Sequence, residues 1–145
     1  LRKIMNKILI ILIALLFIGC DDKSSSSTVP TMHWDRDMCD RCVMVISDRK
    51  NSIQLRGKTK KQEHRFDDIG CMVIWIKESN INLDKLDIWV NDVQSGEWID
   101  AKNAFYTSGN QTPMDYGFSA YKSKQNLPLD KDILSFKDVY EQIKK

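Results

Sequence analysis

The chain has 145 residues, with 22 basic and 20 acidic side chains and a formal net charge of +2. Arg2, Lys3 and Lys7 lie in the first 19 residues, which contain 14 apolar residues and no acid. Without this segment, 22 basic residues fall to 19 against 20 acidic ones. That balance excludes binding to nucleic acid through a basic surface, and the remaining length suits one ordinary domain rather than a multidomain enzyme.

Residues 1–19 are predicted to be a signal peptide. Their basic start is followed by an apolar run over residues 8–18, and the 11 residues of that run would rise about 16 Å as a helix, roughly half of a bilayer core. The run is therefore too short for a transmembrane helix. Met5 is a plausible start, because Met5-Asn6-Lys7 before the apolar run already makes a complete leader.

The segment Leu16-Phe17-Ile18-Gly19-Cys20 resembles a bacterial lipobox, although Phe17 replaces the usual aliphatic residue. It predicts lipidation of Cys20, and the alternative is plain secretion with a free cysteine. Residues 20–37 are predicted to be a flexible tether, on the basis of their serine run. Asp21 resembles the signal that retains lipoproteins on the inner membrane, so we expect the domain on the periplasmic face of that membrane.

The folded domain is predicted over residues 38–145. Residues 43–47 and 53–56 indicate two strands, joined as a hairpin by the polar residues 48–51, and residues 63–66 indicate another strand. Asp67 or Asp68 can then cap a helix whose apolar positions follow 3.6-residue spacing, namely Ile69, Met72, Val73 and Ile76.

The second part of the chain repeats the order of strands followed by a helix. Four further strands are predicted over residues 87–93, 97–101, 104–107 and 118–121, and a final helix over residues 136–144. The final helix resembles the first at four positions that are 70 residues apart, a match that common composition can also produce. We therefore predict an α+β fold with two related strand-strand-helix halves, near residues 38–80 and 85–145.

Soft metal ligands are concentrated between Met32 and Met44, where three methionines accompany Cys39 and Cys42. Thiolate and thioether sulfur suit Cu(I), whereas Zn(II) takes thiolate and imidazole. If residues 43–47 form a strand, Met44 and Ile46 share one face and Cys42 can join them. The segment therefore favours a soft-metal site.

Other interpretations of these residues remain open. Met44 and Met72 can fill the core, and Cys39 and Cys42 can form a disulfide. A structural zinc site can use Cys39, Cys42, His64 and Cys71. A thioredoxin-like motif is disfavoured, because its cysteine pair should open a helix.

Enzymatic activity is not expected. The sequence shows no nucleophile with a base, no paired carboxylates for acid/base work and no phosphate-binding loop. The Asp67-Asp68 pair is better explained as a helix cap.

Three blocks together resemble the NosL family, the copper-binding lipoprotein accessory proteins of nitrous oxide reductase. They are Cys39-Asp40-Arg41-Cys42-Val43-Met44, Phe66-Asp67-Asp68-Ile69-Gly70-Cys71-Met72 and the block from Thr112-Pro113-Met114 to Ala120-Tyr121. The resemblance covers most of the chain from Met38 onward. It implies a fold similar to the metal-handling domain of organomercurial lyases, built from two related halves.

The resemblance also implies a function. A periplasm-facing lipoprotein would bind one Cu(I) and deliver it to apo nitrous oxide reductase, for assembly of its copper-sulfide centre during denitrification. The membrane transporter complex associated with that reductase is a further expected partner. The alternative function is a structural zinc-binding or non-metal scaffolding lipoprotein of a membrane complex.

By the same resemblance, the copper ligands are Cys42 and Met44 of the C-x-M motif and Met114 of the Pro-Met block. Cys39, His33 and Cys71 are additional candidates. Two positions depart from the family pattern, since Asp115 stands where glycine is frequent and Cys71 occupies a helix position that is not always cysteine.

Overall fold

The computed structural model describes residues 28–60 and 62–145. Its first sheet is built from strands in which apolar residues alternate along the chain. Four antiparallel strands are ordered β2–β1–β3–β4, with β1 at Ile53–Gly57, β2 at Glu63–Phe66, β3 at Leu86–Asn91 and β4 at Trp98–Asp100. Ile53 pairs with Val90 and Leu55 pairs with Ile88. Because side chains alternate along a strand, these residues share one face, which is buried in the core.

Helix α1, Ile69–Glu78, covers part of that core. Asp68 is its N-cap, and the Asp68 carboxylate accepts a hydrogen bond from the backbone N–H of Gly70 at 3.1 Å. The predicted apolar positions are all buried, namely Ile69, Met72, Val73 and Ile76. The 3.6-residue spacing of these side chains therefore sets both the presence of the helix and the face that it buries.

The second sheet contains three antiparallel strands in the order β6–β5–β7, with β5 at Phe105–Thr107, β6 at Ser119–Tyr121 and β7 at Leu134–Ser135. Helix α2, Phe136–Lys144, begins at a capping box formed by Ser135 and Asp138. It packs against β5, β7 and α1. The buried apolar residues of both sheets and both helices form one continuous core.

The α+β class predicted from the sequence is confirmed, and the final helix has the predicted bounds. In each part of the chain, strands precede a helix. The first sheet takes β3 and β4 from residues beyond 85, so its strands come from both predicted halves. Among the described residues, no helix is long and apolar enough to cross a membrane.

The predicted hairpin between residues 43–47 and 53–56 is wrong. Residues 43–47 contain one isolated bridge, in which Val45 pairs with Met38 rather than with β1. Val43 has φ +62°, in the left-handed region, and this reverses the chain straight after Cys42. Met44 and Ile46 do not share a face as expected, because Met44 is 52% exposed while Ile46 is fully buried.

The last part of the flexible tether predicted over residues 20–37 is folded against the domain. The buried side chain of Gln54 donates to the carbonyl of Pro30 at 3.1 Å. Trp34 stacks on Trp98 of β4, with ring centroids 5.9 Å apart. Residues 30–37 therefore pack with the domain, whereas the predicted signal peptide and Cys20 lie outside the described residues.

Asp92 joins the turn after β3 to the end of β6. Its carboxylate accepts backbone hydrogen bonds from Gln94 at 2.8 Å, Ser95 at 2.9 Å and Lys122 at 2.8 Å. Burial raises the pKa of Asp92, but the hydrogen bonds from Ser95, Lys122 and Gln94 outweigh it, so the pKa lies below the ordinary value of 3.8. The charged form of Asp92 is thus stabilised by folding.

We predict that Asp92→Asn lowers the free energy of unfolding at neutral pH by about 1–3 kcal/mol, because an amide nitrogen replaces one accepting oxygen. A carboxyl group whose pKa is lowered by folding contributes stability above its unfolded pKa and loses it as pH falls through the folded value. The difference between wild type and variant should therefore shrink below about pH 4. Urea unfolding at neutral and acid pH measures it.

The control for this experiment is Asp132→Asn, at an exposed position, which should change stability little at either pH. A wild-type and an Asp92→Asn protein of equal stability at pH 7 would contradict the prediction. So would a difference that grows as the pH falls.

Candidate metal centre

Three thiols and one carboxylate meet at the N-terminal end of α1. Cys39 and Cys42 come from the loop after residue 37, Asp67 follows β2, and Cys71 lies in the first turn of α1. One ligand atom from each residue lies within 4.8 Å of all the others. Cys39, Asp67 and Cys71 are buried, while Cys42 is partly exposed. The cluster therefore has a buried side and an accessible side.

The cysteine loop is held in a strained shape. The Cys39 N–H donates to the Met44 carbonyl at 2.8 Å, and the Val43 N–H donates back to the Cys39 carbonyl at 3.0 Å. The left-handed conformation of Val43 is unfavourable for a β-branched residue, at a cost of about 1–3 kcal/mol. Two short hydrogen bonds between Asp40 and Arg65 fix the loop to β2 against that strain.

The neighbouring residues Asp67 and Asp68 have different partners. Asp68 is the helix cap, and one of its oxygens also accepts from the Thr112 hydroxyl at 2.6 Å and from the Met114 N–H at 3.1 Å. Asp67 instead contacts the Cys42 thiol, which lies 3.4 and 3.5 Å from its two oxygens. Because adjacent side chains of an extended chain point to opposite sides, one acid caps the helix and the other faces the thiols.

The four groups shift one another's pKa values. The Cys71 side chain, followed by the Cys42 backbone N–H, stabilises the Cys39 thiolate and lowers the pKa of Cys39. Burial and the neighbouring Cys39 raise the pKa of Cys42. Cys39 and burial raise the pKa of Cys71, and burial together with Cys39 raises that of Asp67. Because a metal binds thiolate rather than thiol, an entering cation would displace protons from the thiols whose pKa is raised.

The loop over residues 112–117 brings Met114 to the same end of α1. Its hydrogen bonds to Asp68 hold the loop there, and the Met114 side chain packs partly buried against the core. The ring of Tyr116 lies so close to Gly70 that any Cβ at that helix position would overlap it. Asp115 has φ +59°, a conformation that glycine favours and aspartate tolerates, so this departure from the family pattern fits the loop.

The predicted ligands differ in where they lie in the structure. Cys39, Cys42 and Cys71 come together. Met44 is half-exposed and lies two residues after Cys42, and the backbone N–H of Met114 donates to the helix cap Asp68. Whether these thioethers ligate a metal remains a prediction.

The two histidines lie outside the cluster. His33 is exposed, with its Nδ1 3.4 Å from Asp37. His64 packs on Trp75 with ring centroids 4.3 Å apart, and its Nδ1 is 3.5 Å from Asp40. In the zinc set considered from the sequence, Asp67 therefore takes the place of His64.

Asp67 is the site residue that sequence reasoning missed. From the sequence, both acids of the pair are explained as a helix cap, although one side chain is enough for that role. The useful signal was the surplus acid, placed four residues before Cys71 in a segment that carries soft ligands.

Comparisons with known proteins identify the family and the fold of the chain. The family model NosL matches residues 30–138. The crystal structure of the copper chaperone NosL from Shewanella denitrificans superimposes with a TM-score of 0.64 and 15% sequence identity, covering 77% of this chain and 94% of that one, which shows a shared fold. No curated protein matches this sequence. Because the family model spans three quarters of the chain, including every residue of the thiol cluster, the chain belongs to the NosL family.

Proposed function

We propose that this protein binds one Cu(I) and carries it to another protein, and that it is not an enzyme. The observation that carries the proposal is the partly exposed thiol of Cys42, which shares a loop with the exposed thioether of Met44. Membership of the NosL family and a fold shared with a protein named as a copper chaperone support it. Thiolates are among the donors that bind Cu(I) best.

The proposed ligands are Cys42, Met44 and Met114. Cys42 is the most accessible thiol of the cluster, and Met44 lies two residues further along the same exposed loop. Met114 belongs to the loop that Asp68 holds at this end of α1. Two or three soft ligands bind the ion without surrounding it, so one side stays open to a ligand from another protein.

The surface around Cys42 suits contact with a protein partner. Of the six large hydrophobic residues that are exposed in the described part of the chain, four lie between residues 38 and 45, namely Met38, Val43, Met44 and Val45. A grouped set of exposed apolar side chains beside a functional site is typical of an interaction surface. A partner that covers this surface would reach Cys42, so the ion can move by ligand exchange without entering solution.

We predict that Cys42→Ser weakens Cu(I) binding by at least about 100-fold, since loss of a ligand costs more than the 10–100-fold of an outer partner. Met114→Leu and Met44→Leu should each weaken it by about 10-fold or more. The measurement is an anaerobic Cu(I) titration against a chromophoric chelator. The full chain is used in detergent with Cys20→Ser, so that residue 20 contributes no thiolate.

The matched control is Met38→Leu, because Met38 is an exposed methionine of the same segment that is not a proposed ligand. Its affinity should stay within about twofold of the parent. A parent chain that binds no stoichiometric Cu(I) would reject the carrier proposal and favour a scaffolding lipoprotein. Equal weakening by Met38→Leu and Met44→Leu would reject the ligand assignment.

The proposed recipient is apo nitrous oxide reductase, directly or together with its membrane transporter complex, for assembly of the copper-sulfide centre. We predict that the chain loaded with one Cu(I) transfers copper to the apo-reductase when a competing chelator is present, because ligand exchange releases no free ion. Copper content of the separated proteins measures the transfer. Reductase already filled with copper is the control and should take none, and copper found on the chelator would contradict direct transfer.

The proposed location is the periplasmic face of the inner membrane, held by lipidated Cys20. We predict that the wild type fractionates with the inner membrane. A Cys20→Ser chain should lose the lipid, and its mass should lack the acyl groups seen in the wild type. Recovery of the wild type in the outer-membrane fraction, or an unmodified Cys20, would contradict this location.

A further inference from the structure

We propose that Cys39, Cys42, Cys71 and Asp67 form a second ion site, which binds one thiophilic divalent cation of the Zn²⁺ and Cd²⁺ class through three sulfurs and one oxygen. This site is distinct from the Cu(I) set of Cys42, Met44 and Met114, although both use Cys42. The inference does not depend on copper binding, because it rests on the buried side of the cluster.

The geometry of the four groups suits tetrahedral coordination. Their ligand atoms all lie within 4.8 Å of one another, and the Cys42 sulfur is 3.4 Å from the nearer oxygen of Asp67. A tetrahedral zinc ion with Zn–S bonds of about 2.3 Å holds its sulfurs about 3.8 Å apart. Side-chain movements of about 1 Å or less would therefore close the site, without rearrangement of α1 or β2.

The carboxylate of Asp67 is the feature that points to a divalent cation. Asp67 is only 3% exposed, and its hydrogen-bond partner is the Cys42 thiol. Within residues 28–60 and 62–145, no lysine, arginine or histidine forms an ion pair with it. Burial of a carboxylate is costly unless it is paired or binds a metal, so a cation at this position would offset that cost.

The donor types separate this site from the copper site. Zn²⁺ accepts thiolate and carboxylate ligands but hardly ever thioether, whereas Cu(I) prefers sulfur donors and gains little from a carboxylate oxygen. The buried side of the cluster supplies thiols and a carboxylate, and the exposed side supplies Cys42 beside Met44. Because Cys42 would belong to both sets, the two ions should exclude each other.

Cd²⁺ alone is the probe for the experiment, in an anaerobic titration of the full chain carrying Cys20→Ser in detergent. We expect one Cd²⁺ per chain, with a sulfur-to-metal absorption band whose intensity corresponds to three thiolates. Cys39→Ser and Cys71→Ser should each reduce that intensity to about two thirds, because one of three sulfurs is lost. Asp67→Asn should keep the band but weaken Cd²⁺ affinity by about 10-fold or more.

The ¹¹³Cd chemical shift of the Cys20→Ser chain, with all four cluster residues intact, counts the sulfur ligands without a substitution in the cluster. It therefore tests the proposal even if a buried variant fails to fold. Met44→Leu and Met114→Leu are the matched controls, because they should weaken Cu(I) binding and leave Cd²⁺ binding unchanged. Cys71→Ser should weaken Cd²⁺ binding and leave Cu(I) binding unchanged. Cys42→Ser should weaken the binding of both ions.

The two proposals can fail separately. Absence of bound Cd²⁺, or a shift and band that report two sulfurs or fewer, would overturn the divalent site while leaving Cu(I) binding to its own titration. A Cys71→Ser chain that loses Cu(I) as strongly as Cd²⁺ would overturn the separation into two donor sets. Binding of Cd²⁺ without Cu(I) would reject the carrier proposal and retain this one.

Discussion

The site depends on the hydrogen bonds that the buried carboxylate of Asp68 accepts. One side chain caps α1 through Gly70 and also accepts from Thr112 and Met114, which lie 44 and 46 residues further along the chain. These bonds fix the start of α1, and with it the position of Cys71 in the first turn. They also hold the methionine loop against the same end of the helix. A single N-cap thus aligns two parts of the chain that are remote in sequence.

The second constraint is the close approach of backbone to side chain at that helix end. Gly70 lies against the ring of Tyr116, so the methionine loop packs directly on the first turn of α1. On the other flank, the strained turn at Val43 places Cys42 over Asp67 while leaving Met44 in solvent. Because Asp67, Cys39 and Cys71 are buried, the local dielectric constant is low, and this strengthens the attraction between a cation and the negative charge that they acquire when it displaces their protons. The accessible side of the site remains next to exposed apolar residues.

Much of the fold was predictable because it follows from local patterns. The apolar spacing of Ile69, Met72, Val73 and Ile76 predicts α1 and its buried face, and the similar pattern 70 residues further along the chain predicts α2. The prediction of a strand at residues 43–47 is wrong, because β-branched residues favour strands and give no sign of the left-handed turn at Val43. The packing of residues 30–37 on the domain has no local signal in the sequence, because the stacking of Trp34 on Trp98 joins positions 64 residues apart.

The sequence by itself determined the elements, the soft-ligand character of the chain and its resemblance to the NosL family, because spacing and donor type are properties of neighbouring residues. It did not determine which donors meet. Only the tertiary structure placed Cys71 beside Cys39 and Cys42, and only it separated Asp67 from the helix cap and turned it toward the thiols. The physical reason is that these contacts are made between a loop, a strand end and a helix, whose relative positions are fixed by the packing of the core.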